Sequence, residues 1–365
     1  MSKTLNSFPR FDGYRMPGEF ELHTGTWMLW PERTDTWRLG AKPAQQAFAN
    51  VAKAISQFEP VTICVSAKQY EHARSILPSS IRIVEMSSND AWMRDIGPIF
   101  VINDQEGIRG IDWGFNAWGG IDEGLYFPWD LDSQVKQKVL DIERIDRYDA
   151  QDFILEGGAI TVDGEGTLIT TEQCVLNPNR NPNMLKAEIE KKLSDYLNID
   201  KVIWLKNGMV NDETDGHVDE VVFFARPGEV VMSWTDDIND PNYTVLQDAY
   251  KQLSNTQDAK GRKLKIHKIP LPTQQAMSAE ESAGIDFAID SYQRMEGLTF
   301  ASSYVNCYLC NGGLILPAFD DPQDTVALGM FQKIFPDREI IQVQTREISF
   351  GGGNIHCITQ QQPKP

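Results

Sequence analysis

Residues 221–234 read Val-Val-Phe-Phe-Ala-Arg-Pro-Gly-Glu-Val-Val-Met-Ser-Trp. Two runs rich in β-branched and aromatic residues, Val221–Ala225 and Glu229–Trp234, flank the turn dipeptide Pro227-Gly228. That is the pattern of a β-hairpin. An amphipathic helix is predicted next, over Asn242–Leu253, and then a short apolar strand over Leu264–Ile269. The same succession recurs along the chain. Hairpins are predicted for Ile99–Ile102 with Ile108–Trp113, Ala159–Val162 with Thr167–Thr170, and Tyr304–Leu309 with Leu314–Leu316. Helices are predicted over Met184–Leu197 and Thr325–Phe335, and strands over Val202–Leu205 and Ile340–Val343. Pro43–Phe58 is the clearest helix, with Pro43 suited to its first turn and Phe48, Val51, Ala52 and Ile55 at helical spacing. Val61–Val65 reads as the strand after it.

Two strands are left over, Trp27–Trp30 near the start and Ile355–Thr359 near the end. If they pair, they form a fifth unit and close a ring of about 73 residues per unit. The expectation is therefore an α/β chain of pseudo-fivefold repeats, with residues 1–365 as one domain. Thr273–Gly297 departs from the repeat and reads as an insertion or lid loop.

The charge balance narrows the partners. Lys and Arg total 34 against 52 Asp and Glu, a net charge of −18. Phosphates are repelled by such a field, so neither nucleic acid nor an acidic membrane is the expected partner, and a small cation would be attracted. No apolar run is long enough for a membrane span, and Met1–Arg10 has no apolar segment of a signal peptide. Five scattered cysteines suggest a reducing, cytoplasmic setting rather than a disulfide framework. Cys307 and Cys310 form a C-x-x-C within an apolar hairpin and read as two core thiols.

Reactive residues fall at matching places in the repeat. Asp95 lies 12 residues before the turn Gly107, Glu156 10 before Gly166, and His217 11 before Gly228. On a shared pseudo-symmetry axis they would converge on one mouth. His217 and Asp219, two apart on a predicted strand, would share a face. The acidic stretch Asn211–Glu220 also permits a metal-binding reading, but it offers a single histidine and no second one nearby. No phosphate-binding or dinucleotide glycine motif is present, so no nucleotide cofactor is expected. Cys357 follows Gly351-Gly352-Gly353-Asn354-Ile355-His356, and Ile358-Thr359-Gln360 do not look like packed core, so the thiol is expected exposed in a cleft. A free thiol needs help to ionise. His356, adjacent in sequence, would point the other way on a strand, which leaves His217 as the better base.

Taken in order, Trp92-Met93-Arg94-Asp95-Ile96-Gly97-Pro98, Glu156-Gly157-Gly158, Gly216-His217-Val218-Asp219 and Gly351-Gly352-Gly353-Asn354-Ile355-His356-Cys357 resemble the agmatine deiminases. Pro17-Gly18-Glu19-Phe20-Glu21, Trp30-Pro31-Glu32-Arg33 and Phe115-Asn116-Ala117-Trp118-Gly119-Gly120 extend the likeness to nearly the whole chain. That family belongs to the guanidino-group-modifying superfamily and is similar to the porphyromonad-type peptidylarginine deiminases. The resemblance implies a five-bladed α/β propeller, a homo-oligomer, and no metal or organic cofactor. It implies Cys357 as the nucleophile forming an amidino-cysteine and His217 as general acid/base. Asp95 and Asp219 would hold the guanidinium nitrogens, with Glu156 assisting. Glu213 would contact the substrate and Trp92 would line the site. Carboxylates round such a cleft should raise the thiol pKa of the empty enzyme, and a bound cation should reverse this. The implied reaction turns agmatine and water into N-carbamoylputrescine and ammonia. Deimination of peptidyl or free arginine and catalytically silent polyamine binding are the competing readings. Free arginine would need a cationic partner for its carboxylate, and the motif segments offer little beyond Arg94.

Overall fold

The hairpin quoted above forms as expected. In the computed structural model, which describes residues 2–365, Val222–Arg226 pairs antiparallel with Glu229–Trp234. Gly228 takes the left-handed φ of +77° that the tight turn requires. Glu229–Trp234 in turn pairs parallel with Lys265–Pro270. A parallel neighbour needs a long crossover, and the helix Tyr243–Ser254 supplies it, burying Leu246, Ala249 and Leu253.

Four further sheets repeat this plan. Ile160–Val162, Thr167–Thr171 and Lys201–Leu205 form one, with the crossover helix Lys186–Leu197. Tyr308–Cys310, Gly313–Ala318 and Glu339–Gln344 form another, with Gln323–Ile334. Ile99–Ile102, Ile108–Gly114 and Arg147–Ile154 form a third, crossed by Val135–Glu143 and widened at its edge by Thr4–Leu5. In the last, Thr359–Pro363 pairs antiparallel with His23–Leu29, and Val61–Val65 and Arg82–Glu85 follow in parallel. Its helix, Lys42–Ile55, carries a proline in its first turn and buries Phe48, Val51, Ala52 and Ile55. The leftover strands thus pair, and an antiparallel pair is assembled from opposite ends of the sequence.

Several local expectations are corrected. Ile355–Ile358 is a turn, and the strand begins at Thr359. Residues 304–307 are likewise turn rather than strand. Ile358, Thr359 and Gln360 are buried, because this last strand, at the edge of its own sheet, packs against Met93–Ile96 and Ile99–Ile102 of the next unit. Thr273–Gly297 is a structured excursion. Gln275–Ala276 pairs with Thr299–Phe300 at its base, and Ser278 caps the short helix Ala279–Ala283. Cys307 and Cys310 are buried thiols in two different apolar clusters, facing different neighbours. Among the described residues, no helix is long and apolar enough to cross a membrane.

Candidate active site

Each unit contributes at the same point, just ahead of the first strand of its hairpin. Asp95 lies in the turn of helix Met93–Ile96, before Ile99–Ile102. Glu156 immediately precedes the helical turn Gly157–Ala159, and His217 precedes Val218–Glu220. Cys357 lies two residues before Thr359–Pro363, and Asn306 two before Tyr308–Cys310. His217 and Asp219 are therefore not on a strand, as the sequence suggested. They converge because one short helical turn carries both.

The spacing argument does bring its three residues together. His217 Nδ1 is 3.9 Å from Asp95 Oδ2, and its Nε2 is 4.0 Å from Glu156 Oε2. That Nε2 is buried with no hydrogen-bond partner. Behind it the backbone of His217 donates to Asp212 Oδ2 at 2.7 Å, and Asp212 also takes the hydroxyl of Thr214. A Cβ on Gly158 would stand 2.5 Å from His217 Nδ1 and 2.9 Å from Asp219 Oδ2, so only glycine fits at the centre of this cluster.

Each carboxylate has its own support. Asp95 accepts from Gly158 N and from Trp118 Nε1, both at 2.8 Å. Glu156 Oε1 accepts from Arg180 Nε at 2.7 Å, and Arg180 is further fixed by the carbonyl of Thr214. Asp219 Oδ2 lies 2.7 Å from His356 Nδ1 and 3.7 Å from Cys357 Sγ, while its Oδ1 is buried without a partner. Asn306 Nδ2 donates to Cys357 Sγ at 3.2 Å. Trp92 packs against Trp37 with the rings tilted by 33° and meets Trp118 edge-on, and a Cβ on Gly353 would touch both Trp92 and Cys357 Sγ. Trp92 therefore stands beside Cys357.

Burial sets the electrostatics. Cys357 is only 8% exposed, not open in a cleft. Its thiol is pushed well up, first by burial and then by Asp219, Glu220 and Asp95. The sequence reading credited carboxylates with this shift; burial leads, and Glu220 is an unforeseen member of the set. Burial also opposes charge on His217, but Asp95, Cys174 and Asp219 outweigh it and hold the imidazole protonated well above its ordinary range. Asp95 is raised by burial, with His217 pulling it back down.

Two expectations need revision. His356 does not turn away from the site: it bridges Asp219 and Glu19, at 2.7 and 2.8 Å. Glu213 is not free to meet a ligand's cation. Arg294, from the Thr273–Gly297 excursion, grips both its oxygens, with Nη2 at 2.7 Å from Oε2, and also donates to the carbonyl of Gly351. The cations near the site thus extend beyond Arg94 to Arg180 and Arg294, each already paired with a carboxylate.

Sequence reasoning missed Asn306, Arg180 and Cys174, and gave no site role to Trp118, which it quoted only within a motif. Position in the repeat could have found Asn306, but its hairpin is short and the count back from the turn glycine overshoots it. For metal, Glu156, Cys174 and His217 each place a donor atom within 4.8 Å of the others. Arg180 already occupies Glu156 and the imidazole is held as a cation, so this trio suits a proton better than a divalent ion. Within Asn211–Glu220, Asp212 is committed to its own loop, Glu213 to Arg294 and Asp215 to Arg180.

A profile of the Porphyromonas-type peptidyl-arginine deiminase family matches residues 15–363. An agmatine deiminase of Pseudomonas aeruginosa (strain LESB58) is 58% identical over 360 residues, covering 98% of both chains. A putative agmatine deiminase 1 of Listeria monocytogenes serotype 4b (strain F2365) is 54% identical over 362 residues, 99% of this chain and 100% of that one. The solved agmatine deiminase of Enterococcus faecalis superposes with a TM-score of 0.97 at 51% identity, over 100% of both chains.

Proposed function

Since the chain belongs to the Porphyromonas-type peptidyl-arginine deiminase family, we propose that it hydrolyses agmatine to N-carbamoylputrescine and ammonia through an amidino-cysteine on Cys357. The observation that carries the reading is the buried meeting of one thiol, one cationic imidazole and three carboxylates, Asp95, Glu156 and Asp219. A guanidinium is planar, cationic and weakly electrophilic. Carboxylates that accept its in-plane N–H groups turn its face to the thiol and favour the localised charge of a tetrahedral carbon. The partnerless Asp219 Oδ1 and the outer lone pairs of Asp95 are available for this.

The entering cation offsets the field that disfavours a thiolate, so substrate itself promotes ionisation of Cys357. Cys357 then adds to the guanidinium carbon. His217 gives a proton to the departing nitrogen, which leaves as ammonia. The neutral His217 next takes a proton from water, whose oxygen attacks the amidino carbon. The C–S bond breaks and the ureido product leaves. Glu156 faces His217 Nε2 and steadies the imidazolium. Splitting one difficult substitution into two steps is the advantage of the covalent route.

In this reading the five sheets are the blades of one α/β propeller across residues 1–365, and each blade supplies a residue to the axial site. The partner is a small cationic guanidine in a cytoplasmic homo-oligomer. Ammonia release measured with agmatine, free arginine and a peptidyl arginine tests the proposal. Agmatine should be turned over fastest. Binding of agmatine without ammonia release would instead identify a polyamine-binding protein, and faster turnover of peptidyl arginine would reassign the substrate.

A further inference from the structure

From Asp219 a polar chain leads away from Cys357 through His356 and Glu19, neither of which the reaction above uses. Asp219 Oδ2 lies 2.7 Å from His356 Nδ1, and His356 Nε2 lies 2.8 Å from Glu19 Oε2. With a carboxylate at each ring nitrogen, both nitrogens donate and the imidazole is a cation. Glu19 is itself fixed. Its Oε1 accepts from Leu309 N at 2.9 Å, and its Oε2 takes Arg94 Nη2 at 3.2 Å. The backbone N–H of His356 donates to Asn306 Oδ1 at 3.0 Å, so main chain and ring are both held. Both ring donors are committed to carboxylates and none remains for substrate.

The result at Asp219 is asymmetric. One oxygen is taken, and the other is buried with no partner in the protein. Without the bond to His356 a carboxylate rotates freely about its last torsion, and Oδ2 would itself be a buried unpaired acceptor. We propose that His356, clamped by Glu19, is a positioning residue that locks Asp219 with Oδ2 turned away from substrate and Oδ1 presented to a guanidinium N–H. The inference rests on the reading that Asp219 binds the guanidinium.

The test is calorimetric binding of agmatine to the Cys357→Ser protein, in which turnover is blocked. Asparagine at 356 places its amide N–H where Nδ1 stands and keeps the bond to Asp219 while losing Glu19. Glutamine reaches the Nε2 position and does the reverse. His356→Gln should weaken agmatine binding about ten- to hundredfold, the loss of one charge-assisted hydrogen bond. His356→Asn should stay within roughly threefold of the parent on the same scale. A purely structural role would lower the melting temperature of both variants and weaken binding equally, and that result overturns the proposal. Asp219→Asn should lose binding, and His356→Gln should then add nothing to it, because the two act through one group. Additive losses would also overturn the proposal. If Asp219→Asn binds poorly while His356→Gln binds like the parent, only the positioning role falls. If Asp219→Asn binds like the parent, the substrate-binding reading of Asp219 falls and takes the positioning role with it.

Discussion

Substituting Glu213 by glutamine, and separately Arg294 by methionine, asks which of two charges a substrate's distal ammonium meets. The pair is closed on both oxygens, and the two side chains are 6% and 4% exposed. Breaking such a buried pair from one side costs about 3–5 kcal/mol, because the remaining charge is left in a poor solvent. Glutamine keeps one oxygen to accept from Arg294, which places Glu213→Gln near the lower figure. Arg294→Met strands the carboxylate instead. The two variants should therefore lose comparable stability in urea unfolding, and the double variant should recover about 2 kcal/mol of the sum. Their effects on specificity should oppose each other. Glu213→Gln leaves an uncompensated cation and should reduce the preference for agmatine over a neutral N-alkylguanidine at least tenfold in kcat/KM, about 1.4 kcal/mol. Arg294→Met exposes the carboxylate to the ammonium and should hold or raise that preference. A coupling energy below about 0.5 kcal/mol would show that the pair is not closed in solution. Equal losses for both substrates in both variants would show that neither side chain reads the amine.

Cys357→Ser should abolish ammonia release while leaving agmatine binding measurable by calorimetry, and iodoacetamide should label Cys357 ahead of the other four thiols, all of which are more deeply buried; turnover by the serine variant removes the thiol from the mechanism. His217→Ala should slow turnover by about 10²–10⁴-fold, the usual contribution of one positioned acid/base, and a variant keeping a tenth of the rate excludes that role. The pH dependence follows from signs. Burial and the carboxylates raise the Cys357 thiol, so its thiolate appears only at higher pH, and the raised His217 keeps its proton further into alkali. The rising and falling limbs of kcat/KM therefore both move upward, and activity at about pH 8.5 should exceed that at about pH 7. A profile that declines steadily above neutrality contradicts this. Arg180→Met should destabilise the fold by about 3–5 kcal/mol, since buried Glu156 loses its hydrogen-bonded cation and keeps only the longer approach of His217, and chemical unfolding without a shift in midpoint would refute it.

The sheets were legible because their signals are local. A glycine turn between β-branched runs specifies a hairpin such as Val222–Trp234 within a dozen residues, and a run such as Ala44 to Ile55 specifies its own buried face. The convergence of Asp95, Glu156 and His217 was legible only through the repeat, since nothing local links them. Arg180 and Cys174 had no such signal, and Trp118 stood in a motif that did not say what its indole would touch. Each reaches the site from a segment outside the hairpins, and its role is defined only by the carboxylate or imidazole it touches after folding. The burial of Thr359 and Gln360 was hidden because polar side chains fill the space between sheets there; next to them, Gln361 takes Arg94. The direction of His356 was misjudged because a turn, not a strand, carries it, and alternation does not apply in a turn.

The seam between His23–Leu29 and Thr359–Pro363 has a kinetic meaning. Its paired residues, such as Met28 and Thr359, are separated by roughly 330 positions, and closing so long a loop costs about 3 kcal/mol more than closing a ten-residue hairpin. The other sheets are assembled from segments closer in sequence, the most distant being the edge strand Thr4–Leu5 against Arg147 and Tyr148, so the seam is the contact that chain entropy delays longest. Cys357 lies in the turn two residues ahead of the strand that makes it. The sulfur is therefore expected to dock last, after the segments that carry His217, Asp95 and Asp219 have folded. The same seam should be the first to exchange its amide hydrogens, so displacement of Cys357 should precede loss of the fold.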